Sequence, residues 1–321
     1  MGMKIIYGIL ACILLFGCKK EDELSPSKSD RDYFVVEDNP NDALDHLRYQ
    51  IYSELGLPIF YNDTLASEER YDAGGNPYTY YEVIDIGYGI SSYNSAASYA
   101  LADNREDVQA MIELMQKYLL NLLPKEQYPF SYLLVDSLYL TPGGAQDALL
   151  TNCYKSMKTT VIGNIERVRS WDDNKKRKVM SEIAAMELVE DVVNNTLLNE
   201  ELFEAFDTIV TKTVYKATDV AFRPLRVNNY GGKPQGSISY PKPAPEMFGL
   251  LDWRAEPTPT HVFVPTKEQD YASYIGLILI NSDQDIRERY RDYPLVVHKY
   301  ETMLEMMENS DILKYRQINN N

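Results

Sequence analysis

The sequence predicts an α+β fold, with an N-terminal lobe on a mixed β-sheet, a central buried helix and a mainly helical C-terminal lobe. Three observations lead there. Segments rich in branched and aromatic residues, bounded by Pro, Gly or Asn, fall before residue 170. Residues 172–195 (DDNKKRKVMSEIAAMELVEDVVNN) carry two adjacent apolar rows, Val179, Ile183, Met186 and Val193 beside Met180, Ala184, Leu188 and Val192. A stripe that broad belongs to a helix crossing a core. From residue 200 the apolar spacing is helical, apart from one long irregular insert.

In chain order, residues 1–17 read as a lipoprotein signal. Lys4 gives a short basic start, residues 5–16 form an apolar run too short to span a bilayer, and Leu15-Phe16-Gly17-Cys18 has the form of a lipobox. Cys18 is therefore expected to carry lipid. Residues 18–33, with Lys19-Lys20-Glu21-Asp22-Glu23 and then Ser and Lys, have the composition of a disordered tether. Residues 34–316 make the folded body, in lobes of about 34–195 and 196–316, and residues 317–321 form a frayed tail.

Within the first lobe, residues 42–55 have helical periodicity after Pro40, and 57–61 form a short strand ending at the turn Asn62-Asp63. Residues 68–77 read as a polar loop around Gly74-Gly75-Asn76, and 78–90 as extended chain. Residues 105–123 form an amphipathic helix stopped by Pro124, and 130–140 a strand closed by Pro142-Gly143-Gly144. A branched run, residues 158–169 (KTTVIGNIERVR), reads as the strand that delivers the chain to the central helix, which Asp172 or Asp173 can cap. In the second lobe helices are expected at 200–215, 270–280, 283–291 and 294–308. Residues 223–245 form the insert, rich in Pro and carrying Gly231, Gly232 and Gly236; a loop this long beside a cleft is a candidate for function.

Composition excludes several classes. The formal charge is −16, and loss of Lys4 with the signal makes the mature chain more acidic still. Nucleic acid and anionic lipid both reward Lys and Arg clusters, which are missing here, so no nucleic-acid partner is expected and membrane attachment has to come from lipid. Cys12 leaves with the signal and Cys18 is lipidated, which leaves Cys153 without a partner for a disulfide. His46, His261 and His298 are far apart and none has a ligand-spaced partner. Tyrosine is abundant, 26 against 9 Phe, and runs such as Tyr78-Thr79-Tyr80-Tyr81 fit either a binding surface or half-buried strands. No Walker loop, nucleophile elbow, dinucleotide fingerprint or internal repeat is present.

The central helix holds the one suggestive motif, Ser181-Glu182-Ile183-Ala184-Ala185. It has the outline of H-E-x-x-H, in which two imidazoles one turn apart grip zinc and the Glu serves as base, but only Glu182 remains. A serine hydroxyl is a poor zinc ligand and an alanine methyl is none. With the lipobox, residues 42–65 (DALDHLRYQIYSELGLPIFYNDTL), this helix, and His261-Val262-Phe263-Val264-Pro265 leading into Asp270-Tyr271-Ala272-Ser273, the chain resembles the substrate import-associated zinc metallohydrolase lipoproteins of the Bacteroides type.

The resemblance implies a zincin-like fold, and it puts Ser273 where the family carries an acidic third ligand. Ser181, Ala185 and Ser273 are then vestigial metal positions, Glu182 a vestigial base, and zinc is expected to be absent. Acidic residues just behind Cys18 resemble a surface-export signal, which implies the outer face of the outer membrane. The expected function is that of an inactive binding or accessory subunit beside a TonB-dependent transporter and its surface lipoprotein, handling a peptide or glycan nutrient. An active hydrolase with a rearranged site and a purely structural lipoprotein are the alternatives. Loss of two imidazoles and a carboxylate is expected to leave a concavity beneath residues 223–245 unless neighbours collapse inward.

Overall fold

Asp42 accepts a hydrogen bond from Asp45 N at 3.0 Å and so starts α1 (Ala43–Leu55), which Gly56 ends in the left-handed region at φ 69°. This computed structural model describes residues 31–87, 96–141, 148–196, 200–213, 225–226, 244–253, 261–262, 265, 267–308 and 310–317. The chain divides into Met1–Tyr33 and Phe34–Asn321, and the elements among the described residues belong to the second unit. After α1 come β1 (Ile59–Phe60), the hairpin β2 (Thr64–Tyr71) and β3 (Pro77–Val83), β4 (Ala96–Leu101) and α2 (Arg105–Lys117). Then follow β5 (Ser131–Thr141), β6 (Leu149–Leu150), β7 (Cys153–Lys155), β8 (Thr159–Ile162) and the central helix α3 (Asp173–Thr196). The remaining elements are α4 (Glu200–Thr213), β9 (Leu225–Arg226), β10 (His261–Val262), α5 (Lys267–Ile280), α6 (Asp283–Arg289) and α7 (Pro294–Glu308).

The fold is mixed α/β around a mixed sheet. β1, β5 and β8 run parallel, β7 lies antiparallel on β8, and β4 and β6 pair antiparallel with the later part of β5. The run Tyr132-Leu133-Leu134-Val135 explains why β5 is central: it is apolar on both faces, as a strand covered on both sides must be. Tyr132 and Leu134 join Ile59 and Ile162 in the core shared with the helices, while Leu133 and Val135 join Phe60, Val161, Ile84, Ile86 and Val36 on the opposite face. α3 crosses the helical core as its double stripe requires, with Val179, Met180, Ile183, Ala184 and Leu188 all fully buried.

Several boundaries differ from the sequence reading, each for a local reason. Residues 158–169 are not one strand: β8 ends at Ile162, because Gly163 and Asn164 break it. A Cβ at Gly163 would lie 2.5 Å from Leu138 Cβ and 3.0 Å from Thr151 O, and Asn164 takes φ 62°, from which the 3-10 turn Ile165–Ser170 starts. The polar loop is shorter than residues 68–77, since Glu68, Glu69, Arg70 and Tyr71 pair with β3; the turn is built on Asp72, whose Oδ1 accepts from Gly74 N at 2.8 Å and Asn76 N at 2.9 Å. α2 stops at Lys117, and Leu119–Asn121 tightens to 3-10 before Pro124. β4, β6 and β7 had no clear strand pattern. Gln317 is not frayed: its N–H donates to Leu279 O at 2.7 Å and its carbonyl accepts from Arg177 at 2.8 Å. Residues 142–144 and nearly all of 223–245 lie outside the described residues.

Candidate functional site

α3 and α5 pack against each other in antiparallel register. Arg177 Nη2 lies 3.4 Å from Ile280 O, and one turn further along α3 the backbone at Ser181 meets Gly276 of α5. The approach there is so close that a Cβ on Gly276 would lie 3.1 Å from Ser181 O and 3.3 Å from Ser181 C. Only a glycine seats α5 at that depth without crowding. Ser181 is buried and closes its hydroxyl on Lys178 O at 2.8 Å, and Ala185 is fully buried one turn later. In this register Ser273, one turn before Gly276, falls level with Ala185; its Oγ donates to Asp270 O at 2.7 Å. The three small residues thus share one helix–helix seam. α5 thus packs on the α3 backbone at Ser181, while residues 223–245, beneath which a concavity is expected, lie almost wholly outside the described residues.

Glu182 turns away from this seam. Its Oε2 accepts from Asn152 Nδ2 at 3.2 Å, and its Oε1 lies 3.7 Å from Lys178 Nζ, which also bonds Asp252 Oδ2 at 2.7 Å. Asn152 is held in turn, since its Oδ1 accepts from Asn164 Nδ2 at 2.8 Å and its backbone carbonyl accepts from Gly163 N at 3.0 Å. The Gly163-Asn164 break that ends β8 therefore positions the partner of Glu182 at the C-terminal end of a parallel strand. Burial pushes the Glu182 carboxyl up, against the pull of Lys178, Lys175 and the Asn152 hydrogen bond, with Asp252 adding to the rise. A carboxyl so placed, one-third exposed, can give or take a proton.

A second polar group lies further along α3. Glu187 is buried, accepts from Thr160 Oγ1 at 2.6 Å and faces Lys155 Nζ at 3.4 Å, with Glu190 3.8 Å from the same ammonium. Burial pushes the Glu187 carboxyl up despite Lys155. Burial and the charge of Glu187 also push the Cys153 thiol well up, so it stays protonated and is a poor nucleophile. Glu182 and Glu187 point to different partners and form no acid–base pair.

Sequence reasoning found Glu182 but missed Asn152, Asn164, Lys178 and Asp252. The dipeptide Gly163-Asn164 inside a strand-like run was the available signal. His46 bonds Asp38 at 2.7 Å, His261 begins β10, and His298 lies on α7. Among the described residues no group of three or more His, Cys, Asp or Glu could hold a metal ion, and no helix is long and apolar enough to cross a membrane. Cys18, Gly231, Gly232 and Gly236 lie outside the described residues. No known protein family, curated protein or solved structure matches the chain.

The raised Glu182 carboxyl carries a pH dependence. A folded-state value above the ordinary 4.5 means that the folded chain binds the proton more tightly, so this group's contribution to stability is present below 4.5 and is lost as pH rises past it. Glu182→Gln keeps an acceptor for Asn152 and leaves Lys178 with Asp252. Urea unfolding at neutral pH is expected to give a stability equal to or above that of the wild type, with a flatter acid-side profile. A clear loss at neutral pH would show that the ionised carboxylate is a net stabiliser.

Proposed function

We propose that the chain is a catalytically inactive relative of the zinc metallohydrolase lipoproteins it resembles, with a zincin-like arrangement of sheet and central helix. Lipid on Cys18 holds it at the outer face of the outer membrane, where it serves as an accessory or binding subunit of a TonB-dependent importer of peptide or glycan. The observation that supports the loss of zinc is the seam. The two positions of the H-E-x-x-H outline are Ser181 and Ala185, both buried, with Gly276 seated on the backbone at the first of them. Neither residue offers a ligand, and both are buried, Ser181 under the close approach of α5. Without a metal to lower its pKa, a water stays un-ionised at neutral pH, leaving Glu182 little to activate.

The runner-up, a hydrolase with a rearranged site, draws on the raised, Asn152-bonded Glu182. It is separated by assay: hydrolysis of peptides or glycans that Glu182→Gln abolishes without loss of fold would favour it. For the main reading, fatty-acid labelling is expected to mark the wild type and not Cys18→Ala, and elemental analysis of the purified chain is expected to give well under one zinc per chain. Affinity capture from membranes should recover a TonB-dependent transporter with its surface lipoprotein, and deleting residues 231–236 should weaken that association. One tightly held zinc per chain, or capture that returns no transporter together with unchanged nutrient uptake in a deletion strain, would sink it.

A further inference from the structure

Phe130, Met157 and Val35 are exposed by 53%, 67% and 47%, and the first two lie at one end of the sheet. Ser131 N donates to Lys158 O at 3.1 Å and Ser131 is in register with Thr159, which sets Phe130 beside the β7–β8 turn that carries Met157. From the other side the Phe34 ring packs edge-on against Phe130 with centroids 5.0 Å apart, and against Phe60 at 5.8 Å; Val35 is its chain neighbour. Lys158 Nζ stands 5.9 Å from the Phe34 centroid. The patch lies at the N-terminal ends of β5 and β8, whereas the Asn164 turn that serves Glu182 lies at the C-terminal end of β8.

Exposed Phe and Met side by side are an unusual surface, and their place in the chain indicates what covers them. Phe34 opens the folded unit, so the patch sits at the root of the segment leading back to Cys18. Residues 19–33 reach about 50 Å at full extension, which keeps the root of that segment within reach of whatever holds Cys18. An anionic surface is not recruited by charge, since the chain carries −16.

We infer that Phe130, Met157 and Val35 form an apolar contact with the lipid surface that anchors Cys18, so that the chain rests on the bilayer by the N-terminal ends of β5 and β8. The Glu182 turn then faces away from the lipid, toward solvent and partners. This rests on the lipoprotein reading, and two arms separate the failure of one from the failure of the other. In the first arm the lipidated chain carrying Phe130→Trp is placed on phosphatidylcholine vesicles. Its emission in excess of wild type is expected to fall more than twofold with brominated lipid, while that of Tyr139→Trp, further along β5, does not. In the second arm the unlipidated full chain, Cys18→Ser, partitions weakly onto the same vesicles with little dependence on salt. There Phe130→Ser with Met157→Ser lowers partitioning by about tenfold, the scale of the apolar area removed. Unquenched excess emission from the Phe130→Trp chain together with unchanged partitioning overturns the inference. So does shielding of that introduced indole without vesicles, whether it tracks protein concentration, as a second copy would, or disappears on deletion of residues 19–30, as a folded-back tether would. Absence of lipid on Cys18 would sink the lipoprotein reading alone, since the second arm reads the patch without it.

Discussion

The chain carrying both Ser181→His and Ala185→His is expected to lose about 2–6 kcal/mol of stability and to gain no zinc site. Two imidazoles one turn apart are the spacing that binds zinc, so by sequence alone this variant restores a motif. In the structure both side chains are buried. Ser181 is 2% exposed and Ala185 0%, and Ser181 O already lies 3.1 Å from where a Cβ on Gly276 would be. Overpacking a core costs about 1–3 kcal/mol per site, which for two sites taken as additive gives this range. Each buried imidazole also brings a polar nitrogen into an apolar seam. Guanidinium unfolding with and without zinc measures the effect. A variant as stable as wild type that takes up one zinc with raised stability would show that α5 yields and that the seam is a site in waiting. The single change Ala185→Ser, which adds one oxygen at the same buried position, serves as the mild control.

The elements that were legible in the sequence are those whose signal is a local period. α3 was readable almost to the residue, because two apolar rows over so long a run admit one geometry, and Asp172 Oδ1 does accept from Lys175 N at 2.7 Å at its start. α7 was readable for the same reason. The sheet was readable only in part. β5 announces itself by an apolar run, but β7 is three residues long and β6 two, and such strands exist because β8 and β5 offer edges to pair with, not because their own sequence prefers extension. The β2–β3 hairpin was hidden by Glu68, Glu69 and Arg70, residues whose strand state depends on partners across the hairpin, where Arg70 stacks 3.4 Å over the Tyr80 ring.

For the candidate site the limit is different. Residue types alone showed that Ser181 and Ala185 are not ligands, but no local pattern could show that Gly276, distant in sequence, seats a helix on them. Nor could it pair Glu182 with Asn152, a contact that follows from where β8 stops. Buried charges, by contrast, left a readable mark. Glu187 and Lys299 each interrupt an apolar stripe, at α3 between Ala184 and Leu188 and at α7 between Val296 and Met303, and both are buried with partners. A charge standing in a stripe is a stronger sign of an interior ion pair than its residue type alone suggests.

Lys299→Met is accordingly expected to cost about 3–5 kcal/mol at neutral pH, the scale found when one member of a buried ion pair is removed. Lys299 is 0% exposed and Asp270 5%; the ammonium donates to Asp270 Oδ2 and lies 4.1 Å from the Phe206 centroid and 4.7 Å from that of Tyr274. Methionine fills much the same volume and keeps the aromatic contacts, so the loss isolates the charge. What remains is a buried carboxylate whose Oδ1 has no hydrogen-bond partner among the described residues, with Asp207 close enough to add its own negative field. Burial already pushes the Asp270 carboxyl up and the Lys299 ammonium down in the intact pair. Without Lys299 the carboxyl rises further, and the sign follows: the folded state binds the proton more tightly than the unfolded chain, whose ordinary value is 3.8, so the variant loses stability as pH rises above 3.8 and recovers as pH falls toward it. The double change Lys299→Met with Asp270→Asn removes the orphaned charge and is expected to return most of the loss at pH 7. Urea unfolding of both variants at pH 7 and pH 5 decides it. A Lys299→Met loss below about 1 kcal/mol, or one that the second substitution deepens, would mean that Asp270 is carried neutral in the fold and that the pair contributes packing rather than charge.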